Sequence, residues 1–398
     1  MKLSRGTALC VAGLAMFITA VVYGQAPPAG QARPAGQAPP AAQAAAPRPQ
    51  LAEEAFKNIR VLKGIPVKEF MNTMGFFAAS LAFNCTDCHG GASASDWANY
   101  ATDTPLKNRA RQMITMVKAI NDANFGGRQF VTCYTCHRGS QKPKIVPSLA
   151  VQYGEPPPDD PDEVEALPTA RVTATPDQLF DKYIQAVGGA QALGRLTSFT
   201  ATGTYEGFDS DFAKVPVNIY AKAPNMRSLV AHMASGDVSY TYDGREGWQT
   251  GPRDLTPVSL IPLIGADLAG ARADAQLSFP GQIKQMATNW RADFPPVTID
   301  DKPVLVVQGT MPDRTIVKLY FDRASGLLVR QTRYAPTVIG TVPTHATYSD
   351  YREVPGTGVK IPFTSQMTWV DGQYTVNLTS VTPNAAIEAA RFAKPAAR

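Results

Sequence analysis

Histidine is scarce in this chain: four occur in 398 residues, His89, His137, His232 and His345. Charge is thin as well. Charged residues make up 18% and the formal net charge is +5, with no run of Lys or Arg long enough to track phosphates, which argues against nucleic acid as a partner. Long apolar runs are confined to the N-terminus. Of the five cysteines, Cys10 sits in that run and the other four fall into two short clusters, so no cysteine is left for a wider disulfide framework. The length itself suggests two or three domains.

The opening MKLSRGTALCVAGLAMFITAVVYGQA has Lys2 and Arg5 ahead of an apolar run from Ala8 to Val22 and small residues near Gly24. This pattern predicts a signal peptide over residues 1–24 and export to the periplasm or an equivalent compartment. An uncleaved segment of that length would also serve as a membrane anchor. Cys10 lies at the front of the run, where lipoprotein processing would not use it. Residues 25–50 repeat Gly, Gln, Ala and Pro and form an extended tether.

Cys85-Thr-Asp-Cys88-His89 and Cys133-Tyr-Thr-Cys136-His137 share the spacing C-x-x-C-H. Zinc and disulfides are the alternatives for paired cysteines in an exported chain. Neither requires a histidine directly after the second cysteine, whereas thioether attachment of haem c does, with His89 and His137 as iron ligands. With His232 and His345 far downstream, a bis-histidine iron is disfavoured and methionine sulfur is the expected sixth ligand. Two amphipathic stretches carry M-x-x-M. Pro66 to Asn84 holds Met71 and Met74, with Val67, Phe70, Met74, Phe77 and Leu81 on one face. Met74 precedes Cys85 by eleven residues, about 16 Å of helix. The second, TPLKNRARQMITMVKAIN, opens with Thr104 as N-cap and Pro105 at N1 and holds Met113 and Met116. The residues alone leave the choice within each methionine pair open.

MGFFAASLAFNCTDCH, then Trp97, RARQMITMVKAIN and VTCYTCHRG resemble the cytochrome subunit of photosynthetic reaction centres. The resemblance covers residues 51–147 and implies a repeated unit of helix, turn and C-x-x-C-H, with Met74 and Met113 as axial ligands and Met71 and Met116 as packing partners. That family usually carries four haems, and this chain has motifs for two. Six-coordinate His/Met iron favours electron transfer over catalysis and a raised potential. Donor and acceptor would be redox proteins, such as a membrane-bound reaction centre or a respiratory complex. Arg138 is a candidate partner for a haem propionate and Trp97 for the porphyrin edge, each balanced by an ordinary surface or packing role.

Residues 148–174 are acidic and proline-rich, a second linker. A helix capped by Thr175 follows, and then segments such as VPVNIYAKAP, TIVKLYFD and GLLVRQTRYA alternate apolar and polar residues between turns, which predicts an antiparallel sheet over 175–398. LTPVSLIPLIGADLAGARA is expected to be a helix covering it. YDGREGWQT, LYFDRASGLLVRQTRY and YSDYREVPGTGVKIPF resemble exported lipoprotein-carrier-like domains, which implies a curved half-barrel around helices. A hydrophobic ligand and a plain structural core are equally compatible with it. The expected fold class is multidomain α + β, an α-helical di-haem domain joined to this sheet. The expected function is electron transfer by a non-enzymatic protein with two haem c groups; the alternatives are a periplasmic binder of hydrophobic ligands with redox-sensing haems, and a di-haem peroxidase.

Overall fold

The structure, a computed structural model, describes residues 48–90, 97–154, 174–295 and 297–395. The expected signal peptide and most of both expected linkers lie outside these residues. The described part from Arg48 onward is one compact unit. Six helices come first: α1 (Ala52–Ala55), α2 (Val67–Leu81), α3 (Cys85–Cys88), α4 (Pro105–Phe125), α5 (Cys133–His137) and α6 (Leu149–Tyr153). Then come α7 (Pro176–Ala186) and α8 (Gly189–Arg195). The strands are β1 (Ser198–Gly207), β2 (Val215–Lys222), β3 (Met226–Met233), β4 (Gly236–Tyr242), β5 (Gly247–Thr250) and β6 (Leu260–Leu263). Helix α9 (Gly265–Leu277) interrupts them. They resume with β7 (Thr288–Arg291), β8 (Val297–Ile299), β9 (Lys302–Thr310), β10 (Ile316–Asp322), β11 (Leu328–Thr337), β12 (Gly340–Glu353), β13 (Lys360–Trp369) and β14 (Gly372–Pro383).

Local signals fix the helix ends. Thr104 Oγ1 accepts from Lys107 N at 3.2 Å with Pro105 in the first turn, and Gly126 closes α4 in the left-handed region at φ 60°. Thr175 and Pro176 do the same for α7. Pro66 is the N-cap of α2, one residue before the position its fixed φ also suits, and Ala82 ends that helix at φ 53°.

Fourteen strands form one open antiparallel sheet in the order β6-β5-β4-β3-β2-β1-β14-β13-β12-β11-β10-β9-β7, with β8 on β9. The β1–β14 ladder, from Phe199 opposite Pro383 to Gly207 opposite Tyr374, joins the first and last strands. Seven steps separate β4 from β11, about 34 Å if the sheet were flat at ~4.8 Å per strand. Yet α9, about 20 Å long at 1.5 Å per residue, touches both strands. The sheet therefore curls around α9. Leu179, Phe180 and Tyr183 of α7, Leu193 of α8 and Ala273 of α9 pack on Ala201, Ile219, Leu229, Leu319 and Val376 to make the main core.

Where a single covering helix was expected, Leu260–Leu263 instead pair with β5, with Trp248 opposite Pro262. Pro262 is tolerated because β6 is the outermost strand, where a missing N–H breaks no inner ladder. Only the second half of that stretch is helical. A separate, smaller core joins Ala52, Leu62, Ile65, Phe76, Ile114 and Cys133 to Ile339 and Val342 from the β11–β12 hairpin, so the helical segment packs directly on the sheet.

Candidate cofactor-attachment site

Both C-x-x-C-H segments fold as a single capped turn. Asn84 Oδ1 accepts from Asp87 N at 3.1 Å, and Asp87 Oδ2 accepts from Asn84 N at 2.8 Å. Thr132 and Thr135 repeat the exchange at 3.3 and 3.0 Å. This reciprocal cap satisfies donors that a turn of four or five residues would otherwise leave bare. Within each turn the two cysteines stand three residues apart and the histidine follows at the C-terminal end.

The two histidines are held alike. His89 Nδ1 lies 3.0 Å from the Tyr100 carbonyl oxygen, and His137 Nδ1 lies 3.0 Å from that of Ser140. A carbonyl can only accept, so the proton sits on Nδ1 and Nε2 keeps its lone pair. That is how a metal-ligating imidazole is oriented. Burial holds His89 below the usual imidazole range, helped by Lys107, which keeps the ring in the neutral form a ligand needs.

Further bonds set the frame. Thr104 Oγ1 donates to Cys88 O at 2.7 Å, tying the start of α4 to the first turn. Asn121, 5% exposed, both donates to Val131 O at 2.7 Å and accepts from Val131 N at 3.0 Å, so it clamps the loop that leads into Cys133. Gly139 N donates to Ser80 O at 3.1 Å, which brings the end of α2 to the second turn. Sequence reasoning missed Asn121 and Ser80. The Tyr100 ring lies tilted with its centroid 4.9 Å from that of His89 and 5.1 Å from that of Trp97, whose Nε1 donates to Arg253 O at 2.6 Å in the loop between β5 and β6.

Cys85, Cys88, Cys133 and Cys136 are free thiols. Burial pushes the first three above the usual thiol range, with Asp371 adding at Cys85 and Asp87 at Cys88. Among the described residues no three His, Cys, Asp or Glu side chains come together as a metal site, so the two pairs do not combine into a four-sulfur zinc centre. Met74 is half-buried beside the small core that contains Cys133 and Ile114. Met113 is half-buried on α4, whereas Met116 is 44% exposed and Met71 faces a cavity against the sheet. Arg138 is exposed at φ 47°.

The donor set fits haem c. Two thiols stand beside each Nδ1-anchored histidine, and half-buried thioethers lie on the neighbouring helices. Leu106, Met116, Phe125, Phe130 and Tyr134 give the same region exposed apolar surface, with Phe130 and Tyr134 each 54% exposed, as a large apolar macrocycle requires.

Residues 11–198 match the model of the photosynthetic reaction centre cytochrome C subunit family. Among curated proteins, the reaction center cytochrome c subunit of Thermochromatium tepidum is 36% identical over 103 residues, 24% of this chain and 23% of that protein. Its counterpart from Rubrivivax gelatinosus is 33% identical over 104 residues, 25% of this chain and 27% of that protein. A LolA superfamily protein from Nitrosomonas europaea aligns with 56% of this chain and 99% of its own at 15% identity and a TM-score of 0.37. A DUF1329 family protein from Desulfovibrio piger aligns with 56% and 98% at 8% identity, also at 0.37. The helical region carrying both C-x-x-C-H turns thus resembles the reaction-centre cytochrome subunits, and the chain spans about a quarter of the length of the curated relatives it matches.

Proposed function

We propose that the protein is an exported electron carrier that holds two haem c groups, one on Cys85, Cys88 and His89 and one on Cys133, Cys136 and His137. The observation that supports it most directly is the pair of Nδ1–carbonyl bonds at 3.0 Å, which present both Nε2 atoms as ligands. Met74 and Met113 are the proposed axial thioethers. Haem c bound in this way supplies a one-electron couple at each iron.

The chain's own residues set the conditions for that couple. The caps at Asn84 and Thr132 keep each pair of thiols on one turn, and Tyr100 and Ser140 hold the imidazole planes. Met74 and Met113 would supply thioether ligands that stabilise the reduced iron and leave substrate no place to bind, which favours electron transfer over catalysis. The helical di-haem part and the sheet form the two working regions of the proposed arrangement. Redox proteins are the proposed donor and acceptor, a membrane-bound reaction centre or respiratory complex among them. The N-terminal segment would direct export to the periplasm and, if retained, hold the protein at the membrane. Among the described residues no helix is long and apolar enough to cross a membrane.

Intact mass of the mature protein, together with visible spectra of both oxidation states, tests the reading. Two covalently attached haems and low-spin spectra are expected, and Cys133→Ala should leave the second haem singly attached or lost. A colourless mature protein, or one that carries zinc instead of iron, would falsify it.

A further inference from the structure

The two C-x-x-C-H turns lie in stretches of opposite charge. Residues 84–103 hold three carboxylates and no Lys or Arg, whereas residues 123–154 hold Arg128, Arg138, Lys142 and Lys144 and no Asp or Glu. Cations beside the first turn are engaged. Arg60 and Arg111 pair with Asp103 at 2.7 and 2.8 Å, and Lys107 donates to Tyr100 O at 2.9 Å and to Thr102 O at 2.6 Å. Those beside the second turn are not neutralised. The Arg128 guanidinium lies 5.3 Å from the centre of the Phe130 ring, and the exposed side chains of Arg138, Lys142 and Lys144 make no hydrogen bond or ion pair among the described residues.

Backbone contacts hold these charges at the edge of the second turn. Arg138 follows His137 directly, Gly139 N donates to Ser80 O at 3.1 Å, and Ser140 Oγ donates to Lys142 O at 3.2 Å. Beside Lys144, Ile145 is 90% and Val146 74% exposed. Folding alone does not favour four like charges with no carboxylate among them, because they repel one another. Exposed apolar side chains bordered by one sign of charge suit a partner surface of the opposite sign, which the field would also steer toward the turn.

We propose that this face docks an acidic redox protein, with electrons crossing to or from it at the second C-x-x-C-H turn. The inference rests on the haem reading and names the chemistry of the partner at that site.

The test follows oxidation of the reduced, haem-loaded full chain by stopped flow. Ferricyanide, an anion, and tris(phenanthroline)cobalt(III), a cation, are the acceptors, and poly-L-glutamate is the acidic chain that competes for the face. Raising salt from ~0.05 to ~0.5 M, which shortens the reach of charge from about 14 Å to about 4 Å, should slow the faster ferricyanide phase about tenfold, the lower end of electrostatic steering. The cobalt complex should not slow. Poly-L-glutamate should slow the same ferricyanide phase at low salt. Lys142→Glu combined with Lys144→Glu should abolish both effects. Lys214→Glu combined with Lys222→Glu, exposed on the sheet and equal in net charge, should leave both in place. The same salt response with both reagents, effects that survive in the Lys142 and Lys144 variant, or equal losses in the Lys214 and Lys222 variant would each overturn the proposal. So would effects that emerge only after the six carboxylates of residues 155–165 are changed to amides, since that acidic segment of the chain would then be the occupant. Absence of haem shows in the visible spectrum before any reagent is added, which separates failure of the haem reading from failure of the docking face.

Discussion

Met74 and Met113, the proposed axial ligands, are half-buried, as Met71 is too, and only Met116 of the four helix methionines is exposed. Burial therefore favours Met113 within its pair, while the choice of Met74 over Met71 rests on the family resemblance. Met116 is 44% exposed and Met71 belongs to the cavity wall, whereas Met74 lies beside the core that holds Cys133. Met74→Leu keeps the volume of the side chain and removes the sulfur, so packing should persist while one iron gains an open position. We expect carbon monoxide to bind at one haem of the variant and the potential of that haem to fall by on the order of 100 mV, a fraction of the ~0.8 V that axial ligands span. Unchanged spectra would move the assignment to Met71. Asn121 is a different kind of site residue. Its amide bonds both backbone groups of the half-buried Val131, and Asn121→Ala would leave that N–H and C=O without this partner. A cost of about 1–3 kcal/mol is expected from denaturant unfolding, and wild-type stability in the variant would show that water takes over both bonds. The C-x-x-C-H pairs were legible in the sequence because their chemistry is local. Asn121, and the carbonyls of Tyr100 and Ser140, were not, because backbone acceptors carry no residue signature.

At the scale of elements, α2 joins the two parts of the molecule. One side lies near the second C-x-x-C-H turn through Ser80 and Gly139, and another rests on the sheet through Phe76, Ile339 and Val342. Glu69 sits at its sheet-facing start. Burial, and then the Asp267 carboxylate, raise its pKa above the ordinary carboxylate range. A carboxyl raised on folding is more easily ionised in the unfolded chain, so its ionisation opposes folding. That penalty is absent below the unfolded value near ~4.3 and grows as pH rises through the folded one. Glu69→Gln should therefore leave the melting temperature unchanged near pH 4 and raise it by on the order of 1 °C at pH 7. An equal shift at both pH values would place the effect in packing instead of charge. The starts of α4 and α7 were legible to the residue, since a Thr-Pro cap writes each of them; their ends were not, and α7 stops at Ala186 with Val187 as its C-cap. The long alternating strands were legible too. The short strands β5 to β8 were not: three or four residues cannot establish a period, and Pro262 argues against a strand until its edge position is known.

At the scale of the whole molecule, the two cores differ in how much each depends on the rest. Every residue of the main core lies between Leu179 and Val381, so the sheet with α7, α8 and α9 holds a complete interior of its own. The smaller core is shared: Ala52, Leu62, Ile65, Phe76 and Ile114 complete their packing only with Ile339 and Val342 of the β11–β12 hairpin. Val342 reads in the alternation of β12 like any inward strand residue, and Ile339 sits in the turn between β11 and β12, which is why sequence alone did not show the contact. The asymmetry has a measurable consequence. A chain of residues 174–398 should unfold in one cooperative transition by circular dichroism, close to the transition of the sheet in the full protein. Residues 48–147 alone should lose the burial of Phe76 against the hairpin, a loss of about 1.5–3 kcal/mol for one large apolar side chain, and unfold at lower denaturant than the same helices in the full chain. Should the helical piece prove as stable alone as joined, the packing of Phe76 on Ile339 and Val342 would add nothing to the stability of the helices.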